Sequence, residues 1–296
     1  MTLQASGAIS VNNINVELGS SGTATRSLND ATSRTLAAKS SGAIALSDFY
    51  GKSNYPGPGS QSFTSAGAYS FTIPTGVTSL TVTFVGGAGG TGGNDGNIGL
   101  SGLPGKKLTG TLAVTGGHVW NFFVGNGGGN GASSVTSAGG GSGGAGTVTA
   151  SILTAMGVSG SWSGGRGADA GGSGNSGAGG GGGAATIAWN NNTGNYAVAA
   201  GGGGGGGAGN QGDTQTAASD YLPGLATDGQ DGSSSGGDGG GGGGGGGGFT
   251  GGVAGSFGSG DIYGATGASG KNVTMFLTQG TGSNSPGSSG SVTISW

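Results

Sequence analysis

Two spacings of apolar and polar residues divide this chain. Over much of the region from Gln61 to Trp296, aromatic or β-branched residues alternate with small polar ones. The clearest stretches are Ser62-Phe-Thr, Tyr69-Ser-Phe-Thr-Ile-Pro, Leu80-Thr-Val-Thr-Phe-Val, Leu108-Thr-Gly-Thr-Leu-Ala-Val, Val119-Trp-Asn-Phe-Phe-Val, Thr147-Val-Thr-Ala-Ser-Ile-Leu and Gly290-Ser-Val-Thr-Ile-Ser-Trp. Period two places alternate side chains on opposite faces, so each stretch predicts a strand, with Thr75-Gly76 as a turn. The first and last strands enclose everything between them. The expected fold is therefore mainly β: one β-sandwich over 61–296 with glycine-rich excursions leaving its sheets.

The first 53 residues follow a different pattern, with Leu, Ile and Asn, half of the cations and no glycine runs. Ser6-Gly-Ala-Ile-Ser-Val-Asn-Asn-Ile returns loosely as Ser41-Gly-Ala-Ile-Ala-Leu-Ser-Asp-Phe, two similar capped turns around a middle segment. In that middle, Ser27 has Asp30 three positions on, and Leu28, Ala31 and Leu36 fall on one helical face, which predicts a short helix. The region reads as a small mixed module over 1–53, joined by a Pro/Gly linker at 54–60. Fifty residues bury little apolar surface alone, so Ile9, Ile14, Leu18, Leu28, Leu36, Ile44, Leu46, Phe49 and Tyr50 are expected to attach the module to a partner.

Composition explains the excursions. Of 296 residues, 84 are Gly, while only 6% are charged and the net charge is −3. A disordered tail combines low hydrophobicity with high charge, and at 31% hydrophobic this chain does not fit that profile. From Gly87 to Gly105 a Gly stands at every third position, and the spacing returns at Gly171 to Gly183 and Gly236 to Gly251. Inside homopolymer runs such as Gly239 to Gly248 that match is automatic, so the first stretch carries the argument. Period three belongs to polyproline-II-type helices, which have no internal hydrogen bonds. Bare glycine edges let neighbouring chains approach and bond laterally, which gives packed polyglycine-II helices. Collagen shares the period, but six Pro are far too few for it.

The same composition excludes several functions. With no Cys there is neither a disulfide framework nor a thiolate metal site. The opening residues lack a signal peptide's basic and apolar regions, and no run approaches a membrane span, so synthesis in a cytoplasm without standard export or membrane insertion is expected. Eight Lys+Arg at a pI near 4.7 form no basic stripe for nucleic acid. The single His118 has no identifiable catalytic partner, and no enzyme activity is expected. Asp228, Asp231 and Asp238 lack the order of a calcium loop and read as turn residues, although ion binding stays open for them. Gly51-Lys52-Ser53 and Gly270-Lys271 have Leu46 and Ala265 where a phosphate loop needs its first Gly. No cofactor is expected.

What remains is the aromatic material interrupting the glycine. Trp162 with Arg166, Trp189, Asn190, Asn191, Tyr196, Tyr221, Phe249 and Tyr263 lie among Ser, Asn and Gly, a composition that suits adaptable contact surfaces or sugar stacking. Trp162, Arg166 and Tyr221 are expected at exposed loop tips. For Ile187, Trp189, Tyr196 and Val198, a strand pair filling the sandwich is equally compatible with the pattern.

The residues also carry a resemblance. SGAISVNNINVELG followed by SLNDATSRTLAAKSSGAIALSDFYGKS resembles the leading module of phage tail proteins. The remainder, opening FTSAGAYSFTIPTGVTSLTVTFVGGAGG and closing GSVTISW, is similar to glycine-rich domains of phage and bacterial surface proteins. It is similar as well to tail-fibre-tip adhesins of T-even-type phages, in which layered polyglycine-II helices carry receptor-binding loops. The strands around the glycine segments and the N-terminal module depart from those adhesins. The resemblance implies a virion tail-fibre or tail-tip protein, in three copies, attached to tail or baseplate proteins through 1–53 and binding a host glycan or outer-membrane protein. A purely structural baseplate or fibre component is the alternative.

Overall fold

The computed structural model describes residues 3–133, 140–146, 150–156, 161–170, 176–208, 228–232, 240–258, 263–273 and 277–296. Its strands follow the alternation. β1 (Ser60–Phe63), β2 (Gly67–Thr72), β3 (Ser79–Val85), β4 (Lys106–Ala113), β5 (Val119–Val124), β6 (Thr186–Asn190), β7 (Tyr196–Ala199), β8 (Thr278–Thr281) and β9 (Ser291–Ser295) form two antiparallel sheets. One is ordered β1-β9-β3-β4-β8 and the other β2-β5-β6-β7. The expected first and last strands do pair, with Phe63 opposite Val292. Val82, Phe84, Leu108, Val292 and Ile294 of one sheet meet Phe71, Trp120, Phe122 and Val124 of the other in a continuous core. This is the expected β-sandwich.

Two segments differ from the sequence reading. Ala150–Met156, whose first four residues were expected to end a strand, is an α-helix. Ala, Leu and Met favour helix, and Ile152 packs against the second sheet's outer face. Its proposed start at Thr147 lies outside the described residues. β8 was not expected, because all four of its residues are exposed and nothing there alternates.

Between strands the chain leaves the sandwich as extended rods, and their hydrogen bonds repeat every third residue. In rod 176–185, Gly177, Gly180 and Gly183 donate to rod 200–208, Ala178, Gly181 and Ala184 to rod 125–133, and Gly179, Gly182 and Ala185 to rod 161–170, all at 2.8–3.1 Å. The same rod accepts from Gly87, Gly90 and Gly93, from Gly141 and Gly144, and from Gly241, Gly244 and Gly247. Three neighbours receive its N–H groups and three others supply its carbonyls. Those six also bond to one another in a closed ring, for example through Gly128 to Ala88, Gly164 to Gly144 and Gly201 to Gly247. This is hexagonally packed polyglycine-II. Rod 240–248 is a second such centre, bonded to rods 161–170, 176–185, 200–208, 228–232, 250–258 and 263–271.

Glycine content follows the number of neighbours. A Cβ on Gly180, Gly181 or Gly182 would overlap a carbonyl oxygen of Gly90, Ser142 or Gly245, a different rod each time, and one on Gly183 would return to the first rod at Gly87. No face is left for a side chain, which accounts for the homopolymer runs. Those runs are the interior of the lattice, although the triplet count alone passes over them. Peripheral rods keep Gly only where they face the lattice: rod 99–105 has Gly99, Gly102 and Gly105 inward and Ser101 exposed. The unbroken triplet from Gly87 to Gly105 is two antiparallel rods, 86–93 and 99–105, turned at 94–98, where Gly96 has φ 62°.

The N-terminal module has its own core. α1 (Val11–Glu17) starts at Ser10, which forms a capping box with Asn13, and α2 (Ala31–Ala37) starts at Asp30, not at Ser27. Asp30 wins because its carboxylate accepts the Ser33 N–H at 2.7 Å. α1 was read only as a capped turn. Ile9, Ile14, Leu36 and Phe49 are buried together, and Leu18, Leu28, Ile44 and Tyr50 pack against them. Four of the nine expected attachment residues are thus buried in the module's own core and four more are half-buried against it, because two short helices and a 3-10 turn at Leu46–Phe49 gather them together. Of that set only Leu46 is exposed.

The lattice predicts an asymmetry between substitutions. Gly181→Ala places a methyl on a carbonyl and should cost more than about 3 kcal/mol or prevent folding, whereas Ser101→Ala on an exposed rod face should stay within roughly 0.5 kcal/mol. Denaturant unfolding of the two variants checks this, and equal midpoints would contradict the packing.

Candidate functional site

The two ends of the molecule differ. Val16, Glu17 and Gly19 of the module line a cavity with Thr75, Gly76, Val77 and Val114, which belong to the strand connections farthest from the rods. Glu17 is buried and its Oε1 accepts the Asn54 N–H at 2.8 Å and the Ser53 hydroxyl at 3.2 Å, clamping the start of the linker to α1. The rods leave the opposite end of the sandwich. Module, sandwich and rod array therefore follow one another in line.

At the far end of the array the described turn is 94–98. Asp95 and Asn97 form an isolated bridge, the Asn94 side chain accepts from Gly99 at 2.9 Å, and the Asn94 N–H donates to Ser133 on the next rod at 3.1 Å. This rigid frame holds Ile98 at 79% exposure, the most exposed large apolar side chain described. Phe257, 39% exposed, sits near the same end of rod 250–258. Sequence reading missed Ile98, and within the stretch from Phe249 to Tyr263 it singled out the two ends and not Phe257. An Ile inside an Asn/Asp/Gly turn was the available signal.

The expected contact residues distribute otherwise. Trp162 is fully buried, not at a loop tip, and holds a left-handed φ of 64°. Its ring joins Phe123, Ile187, Trp189 and Val198 on the second sheet's outer face, with Tyr196, Phe249 and Val273 packed around them. Trp189 stacks on Tyr196 at 6.1 Å, and Tyr196 on Phe249 at 6.5 Å. The segment 186–199 is thus a strand pair whose apolar faces are both covered. Burial of an indole outweighs the polar context that suggested exposure. Asn190 is buried and caps the β6–β7 turn, accepting from Asn192 at 2.9 Å, while exposed Asn191 accepts from Asn121 at 2.8 Å. That turn points toward the module, away from the rod tips. Tyr263 is buried at the start of rod 263–271, Arg166 is exposed and pairs with Asp169, and Tyr221 lies outside the described residues.

The Asp residues have a lattice role. Asp228 Oδ1 accepts from Ser161 N at 2.8 Å and Ser163 N at 2.9 Å, and Asp231 Oδ1 accepts from Arg166 N at 2.6 Å. Asp169 accepts from Gly140 N at 2.8 Å, and Asn130 from Thr91 N at 2.9 Å. Where a rod lacks a neighbour, a side-chain oxygen takes the place of its carbonyl. Asp228 and Asp231 are bracing residues rather than turn formers, and Asp238 lies outside the described residues. Among the described residues no group of three acidic or imidazole side chains is placed to hold a metal. The Gly140 N–H, and then Arg166, hold the Asp169 carboxyl below its ordinary 3.8, and the Ser33 N–H does the same for Asp30.

Residues 64–296 match the family described as a glycine-rich domain. The chain belongs to this glycine-rich domain family. The match takes in every rod and all strands but β1, and leaves the N-terminal module outside. Comparison with curated proteins finds no match.

Two outcomes follow for the glycine-rich domain and its module. Trp162→Ala should lower stability by about 3–5 kcal/mol, as for other buried aromatics, which a denaturation midpoint measures. Asp30 and Asp169 have folded pKa values below the unfolded 3.8. Their stabilisation is therefore complete above that value and is lost as pH falls below it. Asp30→Asn and Asp169→Asn should each flatten the acid side of a melting-temperature profile.

Proposed function

We propose that this protein is a phage tail-fibre or tail-tip component that attaches the virion to a bacterial surface receptor. The observation that supports it is the linear order of the molecule, with the phage-tail-like module at one end and the tips of a laterally braced rod array at the other. A host polysaccharide or outer-membrane protein meets the tips, where Ile98 is displayed on a fixed turn and Phe257 lies near the same end. The array suits this task because its backbone bonds leave the turns little freedom, so contact carries a small ordering cost. Several copies on one virion, three in the trimeric arrangement common to tail fibres, then add avidity without a strong single site. Residues 1–53 dock on tail or baseplate proteins, and Leu46 and Val16 are the module's exposed large apolar side chains among its described residues. No catalytic step is assigned to the protein.

The test replaces the tip. Virions carrying Ile98→Asp with Asn97→Ala should assemble normally and adsorb to host cells at least about tenfold more slowly. Assembly together with unchanged adsorption would make the chain a structural spacer.

A further inference from the structure

Away from both the rod tips and the module, a polar cavity of about 340 Å³ opens where the edge strand β8 meets the end of rod 263–271. Lys106, Lys271, Asn272, Gln279 and Thr281 line it together with two glycines, and among the described residues no apolar side chain and no carboxylate contributes. The lysines arrive from different directions. Lys106 opens β4 opposite Thr281, while Lys271 closes its rod in a bridge to Thr250. Their ammonium groups have no ion pair among the described residues, whereas Arg26, Lys39 and Arg166 each hold an Asp. Two ammonium charges without a counter-ion in a chain of net charge −3 repel each other unless an anion lies between them.

The rest of the wall selects the kind of anion. Asn272 is fixed, since its Oδ1 accepts the Ala200 N–H at 2.9 Å and its Nδ2 donates to Gln279 Oε1 at 3.3 Å. Gln279 and Thr281 add an amide and a hydroxyl, groups that both donate and accept and so match sugar hydroxyls. Lysine supplies compact, rotatable charge suited to a carboxylate on a ring. The volume falls at the lower end of ligand pockets, roughly 300–1,000 Å³, enough for a short saccharide and too polar for an apolar ligand.

We infer that this cavity is a binding site for an acidic saccharide, with Lys106 and Lys271 holding its carboxylate and Asn272, Gln279 and Thr281 its hydroxyls. The site lies on the flank of the domain and does not depend on the tail-adhesin reading, because it is assayed in solution without host cells. Full-length protein is titrated by calorimetry and NMR with a glucuronate-containing oligosaccharide, a neutral glucose oligosaccharide and inorganic phosphate. The uronate sugar should bind, weaken as salt is raised, and exceed the other two by at least about tenfold. Lys106→Gln with Lys271→Gln should reduce its affinity at least about tenfold with an unchanged melting temperature, while Lys107→Gln, outside the cavity lining, should leave it intact. Equal binding of the neutral sugar, phosphate binding as tight as the uronate sugar, no binding at all, or a double variant that binds as the parent does would each overturn the assignment. If the double variant is unfolded, Lys271→Gln alone and shifts of the Asn272 and Gln279 side-chain amide resonances on titration decide it, and unmoved resonances overturn it.

Discussion

Every N–H and C=O in a polyglycine-II rod must find its partner outside the rod. The helix has no internal bonds, so an isolated rod in this protein would leave a polar group unpaired at each residue, at a cost of about 1–3 kcal/mol each once buried. The threefold screw sends successive residues in three directions, and a rod is satisfied only with neighbours on all sides. Rods 176–185 and 240–248 reach this condition with six neighbours apiece. From that demand come the ring of rods, the loss of side chains in the interior and the density of glycine.

The same demand organises the boundary. A peripheral rod has outward N–H groups without a neighbouring carbonyl, and Asp228, Asp231, Asp169, Asn130 and Asn284 supply the oxygen instead. Their spacing tracks the rod: Asp228 and Asp231 are three apart and serve Ser163 and Arg166, also three apart. Side chains at the perimeter also obstruct the addition of further rods, as charged and bulky edges do in sheets. The sandwich completes the scheme from below, since it fixes the starting point and direction of each rod that grows from a strand end.

Function then depends on what the two structural regimes leave exposed. Aromatic residues that look available in sequence, Trp162 and Trp189 above all, close the outer face of the second sheet. The exposed chemistry lies elsewhere, in Ile98 at a turn, Phe257 near a rod end, and the lysines at the junction of sheet and rods. Each occupies a place where packing has already been satisfied and a side chain is free to differ.

Most strands were legible in the sequence because alternation reports directly on which face is buried, and β1 and β9 could be paired as first and last. The glycine triplet likewise determined that rods exist and bond laterally, since period three is local to the chain. β8 was not legible, because an exposed edge strand such as Thr278–Thr281 has no alternating burial to record. Nor was the position of Trp162, whose burial depends on Phe123, Ile187 and Val198, all distant in the chain. Only the tertiary structure decided which rods are interior, that Gly87 to Gly105 folds back on itself, and that Lys106 and Lys271 share a cavity. A triplet records how many faces of a rod are bare, while the identity of the neighbour on each face is fixed by the order in which strands deliver rods to the lattice.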